Sequence, residues 1–478
     1  MLFNSLHFAF FLPIVFFLYW FITKKNTRIQ NVLLLVVSYY FYACWDWRFL
    51  FLLLFSTFLD FSTGIKVANS TNKTQRKFWF WLSVTVNLGF LAVFKYYDFF
   101  AESFALALAK VNVHVDPWTL GFILPVGISF YTFHGLSYVI DIYKNRIEAE
   151  RNFVDYGVFV SFFPLLVAGP IERATHLLPQ IKRNRVFDYS KAVDGLRQIL
   201  WGLFKKIVIA DSCAEIANQI FNHSTEYNGA TIALGAVMFS IQIYGDFSGY
   251  SDIALGTARL FGIELLKNFS FPYFSRDIAE FWRRWHISLS SWFRDYLYIP
   301  LGGSKVGTWK KIRNTFIIFV VSGFWHGANW TFIVWGFLNA LFILPSIIAS
   351  TNRSNMEIVA KDSLMPTAKE LFSMLLTFLL ATFAWIFFRS ESVSHAFQII
   401  SVIFSQSLLN TPQILPKVTL LLVVFFFLIE WFGRKGNFAL EYLFISKPSW
   451  WRWSFYTMII VLVFFSTGKE QAFIYFQF

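Results

Sequence analysis

Long apolar runs separated by short polar stretches dominate this sequence. A helix that crosses a bilayer needs about 20 mainly apolar residues, and many of the runs approach or exceed that length. The predicted membrane segments are residues 6–22, 31–45, 49–65, 78–96, 120–140, 153–169, 207–221, 230–247, 315–348, 371–388, 418–432 and 455–465. The pattern therefore predicts an all-α polytopic membrane protein with about eleven or twelve membrane segments.

Two of these runs do not have the pattern of a single spanning helix. Residues 153–169 have basic stretches on both sides and lead into Pro170. We expect a re-entrant helix there, which is tolerated only where protein or a water-filled cavity covers it. Residues 315–348 are long enough for two crossings or one broken helix, and the polar residues 350–369 predict a loop. No repeat or soluble domain stands out, so residues 1–478 are predicted to form one membrane domain.

Composition and charge support the membrane interpretation. Hydrophobic residues make up 56% of the chain and charged residues 14%, against about 25% charged residues in soluble domains. The net charge of +13 is concentrated between apolar runs. An excess of Lys and Arg in cytoplasmic loops explains this better than nucleic-acid binding does. The first run lacks a cleavage site and is expected to stay as a span closed by Lys24, Lys25 and Arg28, with the N-terminus outside.

A histidine inside an apolar run is the leading candidate for chemistry. His326 lies in the segment FWHGANW, beside Trp325 and Gly327 and three residues before Asn329. A titratable group in a lipid-compatible run is costly and therefore indicates a functional site. Aromatic walls favour a neutral imidazole, which suits general-base work on a hydroxyl or thiol. The alternative is a core histidine whose ring is satisfied by a backbone carbonyl.

A second histidine lies 40 positions earlier in an arginine-rich amphipathic segment. On a helix in EFWRRWHISLSSWFRDYL, His286 would share a face with Trp282, Arg283 and Ser290, at spacings of three and four. Together with Arg284 and Arg294, Arg283 is compatible with binding an anionic group such as a pyrophosphate. The same arginines also suit an anchor at the lipid headgroups, and the residues alone favour that anchor.

Other polar groups inside apolar runs have weaker signals. Asp246 and Asp252 in YGDFSGYSDIALG suit the lining of a polar channel, the orientation of other residues, or the cap of a helix terminus. His134 in FYTFHGLSY favours a structural role. Cys44 and Cys213 fit neither a disulfide framework nor a zinc site, and both are expected to be buried; no metal site is predicted.

Several catalytic motifs are missing from the sequence. It contains no phosphate-binding P-loop, no G-x-S-x-G nucleophile elbow and no H-E-x-x-H motif. This argues against a pump powered by its own nucleotide site and against a zinc protease.

The distinctive segments taken together resemble the membrane-bound O-acyltransferase family. They span nearly the whole chain, and the branch they match best contains the membrane subunits of bacterial alginate O-acetyltransferases, with D-alanyl transferases of teichoic acids more distant. The segments are PVGISFYTFHGLSYVIDIYK, FVSFFPLLVAGPIER, YGDFSGYSDIALGTARLFGI, FWRRWHISLSSWFRDYLYIPLGG, SGFWHGANWTFIVWG, FAWIFFRSES and the terminal FIYFQF.

The resemblance implies a multi-helix fold around a central funnel or tunnel, with His326 as the catalytic histidine and His286 as the second signature position. It implies acyl transfer from a cytoplasmic thioester, acetyl-CoA in this branch, with no permanently bound cofactor. The implied acceptor is an exported or cell-surface polysaccharide such as alginate, or a periplasmic acetyltransferase or esterase-like partner, at the bacterial inner membrane.

The remaining candidates for substrate contact follow from the chemistry of the residues together with the family resemblance. They are Arg283, Arg284, Arg294, Asn329, Trp325, Asp246 and Asp252. Two alternatives stay open at this point. One is a D-alanyl-type transferase that uses an acyl carrier protein, and the other is a non-enzymatic acyl-group transporter or scaffold for a periplasmic acetyltransferase.

Overall fold

The computed structural model describes residues 1–23, 26–166, 169–467 and 471–474, and these residues form helices and loops without a β-strand. The α-helices are α1 Leu6–Phe17, α2 Thr27–Ala43, α3 Trp47–Asn69, α4 Lys73–Leu91, α5 Tyr97–Ala109, α6 Ile128–Tyr143, α7 Phe153–Ser161, α8 Phe163–Leu166, α9 Ala174–Lys182, α10 Tyr189–Leu203, α11 Asp211–Asn222, α12 Gly229–Leu260, α13 Ile278–Arg284, α14 Ile287–Phe293, α15 Thr308–His326, α16 Trp330–Ile348, α17 Ala368–Arg389, α18 Val393–Ile403, α19 Lys417–Gly433 and α20 Ser449–Ser466.

Short π-helical turns extend or join several of these helices. They are Leu18–Ile22 after α1, Ala92–Tyr96 between α4 and α5, Phe204–Ala210 between α10 and α11, and Arg294–Tyr298 after α14. A π-turn widens the helix by one residue, which re-aims the side chains that follow it. The turn between α10 and α11 carries two lysines that become important below.

Five helical stretches of the described chain are long and apolar enough to cross a membrane by length and composition. They are Trp47–Asn69, Lys73–Ala109, Gly229–Leu260, Trp330–Ile348 and Ala368–Arg389. The all-α polytopic fold class predicted from the sequence is therefore confirmed. Five is fewer than the predicted eleven or twelve, because several predicted segments form shorter helices, such as the apolar Leu6–Ile22.

The lipid-facing character of the helices is visible in their exposed side chains. Large apolar groups such as Leu6, Phe10, Phe372 and Phe465 are more than two-thirds exposed. A soluble protein avoids apolar surface on this scale, whereas a bilayer stabilises it.

The predicted membrane segment at residues 120–140 is wrong in its first third. The helix begins only at Ile128, and residues 120–127 are irregular. Pro125 disfavours helix in the residue before it. Gly127 has a left-handed φ of +76°, and a Cβ there would lie 2.4 Å from the carbonyl oxygen of Leu166. Only glycine fits this turn, so the helix is forced to start after it.

The segment predicted as re-entrant forms two short helices. The nine-residue α7 rises only about 14 Å, less than half of a hydrocarbon core of about 30 Å. Phe162 separates it from the four-residue α8. Residues 167–168 of this segment lie outside the described residues, as do Lys24, Lys25 and the last four residues of FIYFQF. Re-entry into the membrane stays a prediction.

Residues 315–348 belong to a helical hairpin. α15 ends at His326 and α16 starts at Trp330, so the run is divided into two helices; that both of them cross the membrane stays a prediction. The two helices approach very closely at glycines. A Cβ on Gly323 would lie 2.1 Å from the carbonyl oxygen of Phe332, and one on Gly336 would lie 2.2 Å from that of Phe319. Small residues allow this close backbone contact in membrane helices.

Other predictions have mixed outcomes. The loop at residues 350–369 is confirmed up to Thr367, which caps α17 in a capping box with Glu370. α18 has no counterpart in the predicted set. Cys213 is buried as expected, but Cys44 is exposed, because it lies at the C-terminal end of α2.

The chain divides into two compact units. One comprises Met1–Gly195 and Thr257–Leu266, and the other Leu196–Gly256 and Lys267–Phe478. In the first unit α3 packs against α4 and α6. Its buried Asp60 accepts hydrogen bonds from Ser83 Oγ at 2.6 Å and Asn87 Nδ2 at 2.8 Å. In the second unit α16 packs against α15 and α17. A single domain over residues 1–478 stays a prediction.

Candidate functional site

His326 terminates α15 in the second unit and is only 5% exposed. Its ring contacts aromatic rings on three sides. The centroid distances are 5.0 Å to Trp325, 5.2 Å to Trp335 on α16 and 5.3 Å to Phe388 on α17. Aromatic side chains therefore pack around this imidazole, as the sequence indicated.

The turn after His326 depends on Gly327. A Cβ there would meet the ring of Phe332 at 2.2 Å, while the backbone itself is extended. The glycine is thus required by close approach and not by a left-handed conformation. Asn329 caps α16, since its Oδ1 accepts from Thr331 N at 3.0 Å, and its Nδ2 donates to the carbonyl of Glu391 at 3.0 Å. Substrate contact by Asn329 stays a prediction.

His286 lies at a break between α13 and α14, so the continuous helix expected around it is wrong. Its backbone is left-handed, with φ of 42°. Asn268 helps to hold this turn: its carbonyl accepts from Ile287 N at 2.9 Å, and its Oδ1 accepts from Ser288 Oγ at 2.5 Å. A left-handed non-glycine residue is strained and persists only where its surroundings fix it, often at functional sites.

The two histidines come together although they are far apart in the sequence. The centroids of His286 and His326 are 6.4 Å apart, and Trp325 lies 6.1 Å from His286. Phe247 of α12 covers the other side of His286 at 4.6 Å. His286 is 1% exposed. The structure thus places two imidazoles in one aromatic cage.

The aspartates of α12 lie within the helix and not at its start, so helix capping is the wrong interpretation. Asp246 forms an ion pair with Lys206 at 2.9 Å, and Asp252 forms one with Lys205 at 2.5 Å. Lys206 also pairs with Asp211 at 2.7 Å. These groups are nearly all buried, and pairing is what makes buried charges tolerable.

Glycines bring the lysines to the aspartates. A Cβ on Gly202 would lie 2.6 Å from the carbonyl oxygen of Gly249, and one on Gly249 would lie 2.8 Å from that of Gly202. α10 and α12 therefore cross at backbone contact. The π-turn that follows Gly202 then directs Lys205 and Lys206 at α12.

Sequence reasoning missed the role of these lysines by assigning them to a basic cytoplasmic loop. The signal that would have found them is the pair of carboxylates in an apolar run, which requires counter-charges. It also missed Glu430 of α19, a buried carboxylate that accepts from Trp201 Nε1 at 3.0 Å and from Tyr244 Oη at 2.5 Å.

The same ion network binds residues close to the C-terminus. Lys206 Nζ donates to the carbonyl of Gln471 at 3.0 Å, and Ile474 N donates to Asp246 Oδ2 at 2.7 Å. Phe473 is fully buried and its ring lies 4.1 Å from that of Tyr250. The first two residues of FIYFQF are therefore part of the core of this unit.

The three candidate arginines have separate environments. Arg283 donates to the carbonyls of Asn352 and Asn355 at 2.7 and 2.8 Å. Arg284 pairs with the buried Glu280 at 2.8 Å. These two guanidinium groups fasten the loop after α16 and the end of α13. Asn352, whose carbonyl Arg283 binds, also lines the cavity described next.

Arg294 instead lines a cavity of about 480 Å³. The other basic residues of its wall are Lys311 of α15 and Arg353, and its apolar wall includes Phe319. The side chain of Arg294 is 62% exposed and pairs with its neighbour Asp295, at 2.8 Å. This cavity therefore offers three cations above an apolar wall.

His134 occupies a structural position in the first unit, as expected. It is 1% exposed, and its Nε2 accepts the backbone N–H of Glu172 at 3.0 Å. The Glu172 carboxylate in turn contacts His176 Nδ1 at 2.8 Å. The hydrogen bond to Glu172 raises the pKa of His176 above its ordinary value. Burial lowers this pKa, but by less than the hydrogen bond raises it.

The arrangement around His326 has the parts that acyl transfer needs. A neutral imidazole accepts a proton from a nucleophile, and a second polar group nearby orients the carbonyl or stabilises its developing charge. Aromatic walls exclude water and strengthen both effects. Among the described residues no cluster of His, Cys, Asp and Glu is arranged to hold a metal ion.

Comparison with protein families identifies the class. The model of the membrane-bound O-acyltransferase family matches residues 144–388, just over half of the chain. The chain belongs to this family and is a multi-pass membrane acyltransferase. The matched region contains both histidines, the two α12 aspartates and the three arginines.

Individual relatives match over longer stretches. "Probable alginate O-acetylase AlgI" of Pseudomonas putida is 38% identical over 91% of this chain and 88% of its own length. "Peptidoglycan O-acetyltransferase" of Helicobacter pylori is 35% identical over 84% of this chain and 79% of its own. "Teichoic acid D-alanyltransferase" of Streptococcus thermophilus is 30% identical over 51% of this chain and 62% of its own. The resemblance seen in the sequence motifs is confirmed.

Proposed function

We propose that this enzyme takes an acetyl group from acetyl-CoA at the cytoplasmic face of the bacterial inner membrane and passes it on for O-acetylation of an exported polysaccharide such as alginate. The observation that carries the proposal is the pair His286 and His326, whose rings lie 6.4 Å apart in an aromatic cage. The likeness to relatives named for alginate and peptidoglycan O-acetylation supports the acetyl group and the polymer acceptor.

His326 acts as the general base in this proposal. It takes the proton of the acceptor hydroxyl while the oxygen attacks the thioester carbonyl. The new C–O bond forms, the C–S bond breaks, and the proton passes to the departing thiolate, which leaves as coenzyme A. His286 orients the thioester or stabilises the oxyanion. General-base catalysis of this kind contributes about 10²–10⁴-fold in rate.

The donor's phosphates are assigned to the cavity that Arg294 lines. Acetyl-CoA carries several negative charges, and Arg and Lys are the residues that bind phosphate most effectively. Lys311 and Arg353 provide the further cations. The cavity wall at Phe319 packs on Trp282 at 5.1 Å, and Trp282 packs on Trp335 at 5.6 Å. Trp335 belongs to the cage of His326, so the cavity and the cage share one aromatic wall.

The other predicted contact residues are proposed to position the site. Arg283 and Arg284 hold the loop after α16 and the end of α13, which sets the start of the His286 turn. Asp246 acts through its neighbour Phe247, which lies against His286. Asp252 fixes the same helix through Lys205. Trp325 forms the wall shared by both imidazoles.

The acceptor side is proposed to lie across the membrane. Acetyl-CoA is too polar to cross lipid, whereas an acetyl group transferred within a protein-lined passage does not need to cross it. The recipient is then the exported polymer itself or a periplasmic acetyltransferase or esterase-like partner. No cofactor is held permanently in this scheme.

The decisive test uses purified protein in nanodiscs with acetyl-CoA and an alginate oligosaccharide, with the periplasmic fraction added where a partner is needed. His326→Gln keeps most of the side-chain volume but removes the base, and we expect thioester turnover to fall by at least about 10²-fold. His223→Gln, at a half-exposed loop histidine, is the matched control. Normal polymer acetylation by a stably folded His326 variant would refute the role.

The alternative functions give different results in the same assay. A transporter or scaffold would leave polymer modification intact when both His286 and His326 are replaced. A D-alanyl-type enzyme would turn over a D-alanyl carrier protein and leave acetyl-CoA untouched. The basic cavity at Arg294, Lys311 and Arg353 favours acetyl-CoA, which is the donor with the larger number of phosphates.

A further inference from the structure

A second cavity, distant in sequence from both histidines, lies wholly within the unit formed by Met1–Gly195 and Thr257–Leu266. Its volume is about 240 Å³. We call it the basic cup and define it by its principal lining residues, Trp20, Arg183, Arg185, Phe187, Lys191 and Gly262. It lies where the π-turn after α1 meets the chain between α9 and α10.

Some of the charges around the basic cup neutralise one another. Lys191 pairs with Glu264 at 3.1 Å. Arg259 also lines the cup, and it pairs with Glu264 at 3.1 Å and with Asp194 at 2.8 Å. The carboxylate of Asp188, on the same wall, accepts the backbone N–H groups at the start of α10. Among the residues that the structure describes, Arg183 and Arg185 form no such ion pair, although Asp155 interacts electrostatically with Arg185.

Arg185 is the unusual member of the basic cup. It is 4% exposed, and its Nη2 donates to the side-chain oxygen of Asn31. Its guanidinium lies 5.6 Å from the ring of Tyr19. Its Nε and Nη1 have no acceptor in the part of the chain that the structure describes. A buried cation with unmet donors is costly, and an anion at this position would offset the cost.

Arg183 is the more accessible partner. Its Nη2 makes one long hydrogen bond to the carbonyl of Gly262, at 3.4 Å. The left-handed turn at Gly262, with φ of +73°, brings that carbonyl and the stem of Arg185 together. The rim therefore presents a second guanidinium, which interacts electrostatically with the buried one.

The surroundings of the basic cup are those of a membrane interface. Phe21 and Ile22, at the end of the apolar stretch Leu6–Ile22, are 56% and 63% exposed. On the other side Val186 and Tyr189 are 79% and 76% exposed. Trp20 lines the cup and packs on Phe187 at 5.5 Å, with Nε1 donating to the carbonyl of Leu260 at 2.8 Å. Aromatic residues and cations at the end of an apolar helix are typical of the headgroup region.

We propose that the basic cup binds the phosphate of an anionic glycerophospholipid, with Arg185 and Arg183 as its ligands and the exposed apolar residues against the acyl chains. A phosphodiester supplies a negative charge beside the buried Arg185 and acceptor oxygens for Arg183 at the rim. Anionic lipids concentrate at the cytoplasmic leaflet, where basic pockets between helices recognise their headgroups. A free phosphate offers similar acceptor oxygens, but it would leave the apolar rim uncovered.

The test is native mass spectrometry of the full-length protein, released from detergent and titrated with dioleoyl phosphatidylglycerol or dioleoyl phosphatidylcholine. We expect phosphatidylglycerol to bind preferentially. Each cation lost should weaken its binding about fivefold, so Arg183→Gln and Arg185→Gln should each do so. Arg48→Gln, at an exposed arginine paired with Asp46, is the control and should change nothing.

Arg183→Gln keeps the test valid if the buried Arg185 variant folds poorly. Equal binding of the two lipids, or phosphatidylglycerol binding that Arg183→Gln and Arg185→Gln leave unchanged, would overturn the proposal. Millimolar inorganic phosphate distinguishes the sources of the anion. If it displaces phosphatidylglycerol only weakly, the lipid is the ligand; if phosphate alone binds and the lipid does not, the lipid assignment fails.

Discussion

Replacement of Lys206 should destabilise the second unit more than replacement of either of its carboxylate partners. Lys206 is 1% exposed and lies 2.7 Å from Asp211 and 2.9 Å from Asp246. Lys206→Met keeps most of the volume of the lysine side chain but leaves two buried carboxylates without a cation. Removing one partner of a buried ion pair costs about 3–5 kcal/mol.

Asp246→Asn provides the comparison that tests this reasoning. It leaves Lys206 and Asp211 as a neutral pair, and the Asn carbonyl still accepts the N–H of Ile474. We therefore expect a smaller loss, about 1–2 kcal/mol, from the weakened hydrogen bonds. The order of the two variants follows from the charge count and does not depend on the absolute values.

The measurement is the apparent melting temperature of detergent-solubilised protein. It is read from the folded fraction that remains in size-exclusion chromatography after heating. At roughly 2 °C per kcal/mol for a unit of this size, Lys206→Met should lower it by roughly 6–10 °C. Lys310→Met on the exposed side of α15 is the matched control and should stay within about 1 °C. A Lys206→Met protein as stable as Asp246→Asn would refute the view that this lysine compensates two carboxylates.

Two further predictions concern the site and the pH dependence. Gly327→Ala should lower the free energy of unfolding by about 1–3 kcal/mol and reduce acyl transfer, because its Cβ would meet the Phe332 ring at 2.2 Å. Thermal stability and turnover, measured on the same variant, check this. A variant with unchanged stability and turnover would contradict it. The raised pKa of His176 means that its ion pair with Glu172 stabilises the fold fully below pH 6.5, and that this contribution is lost as the pH rises through the folded pKa. The difference in stability between the wild type and His176→Gln should therefore shrink from pH 5.5 to pH 8.5, by less than about 1 kcal/mol since the ring is partly exposed. Melting temperatures of both proteins at the two pH values check this, and a difference that grows with pH would contradict it.

The long apolar runs were sufficient to predict most helices, because hydrophobicity over about 20 residues is a strong local signal. The start of α6 was not predictable from hydrophobicity. There Gly127 adopts a left-handed turn under the carbonyl of Leu166, which is a tertiary contact. Similarly, α18 is short and was not distinguished from a loop.

The site was predicted in part. His286 and His326 were identified from the cost of a titratable group in an apolar context and from the family motifs. The break at His286 was not foreseen, since a left-handed histidine has no sequence signature. Lys205 and Lys206 were assigned to a loop because charge along the chain shows nothing about which helix a side chain faces.

The tight glycine contacts of the α15–α16 hairpin limit how a substrate can reach His326. With Gly323 against the Phe332 carbonyl and Gly336 against the Phe319 carbonyl, the two arms have no room to slide or twist past each other. We therefore expect the backbone at the hairpin tip, which carries the imidazole, to stay fixed in the proposed reaction. Rotation of the surrounding indole and phenyl side chains would then admit a reactant.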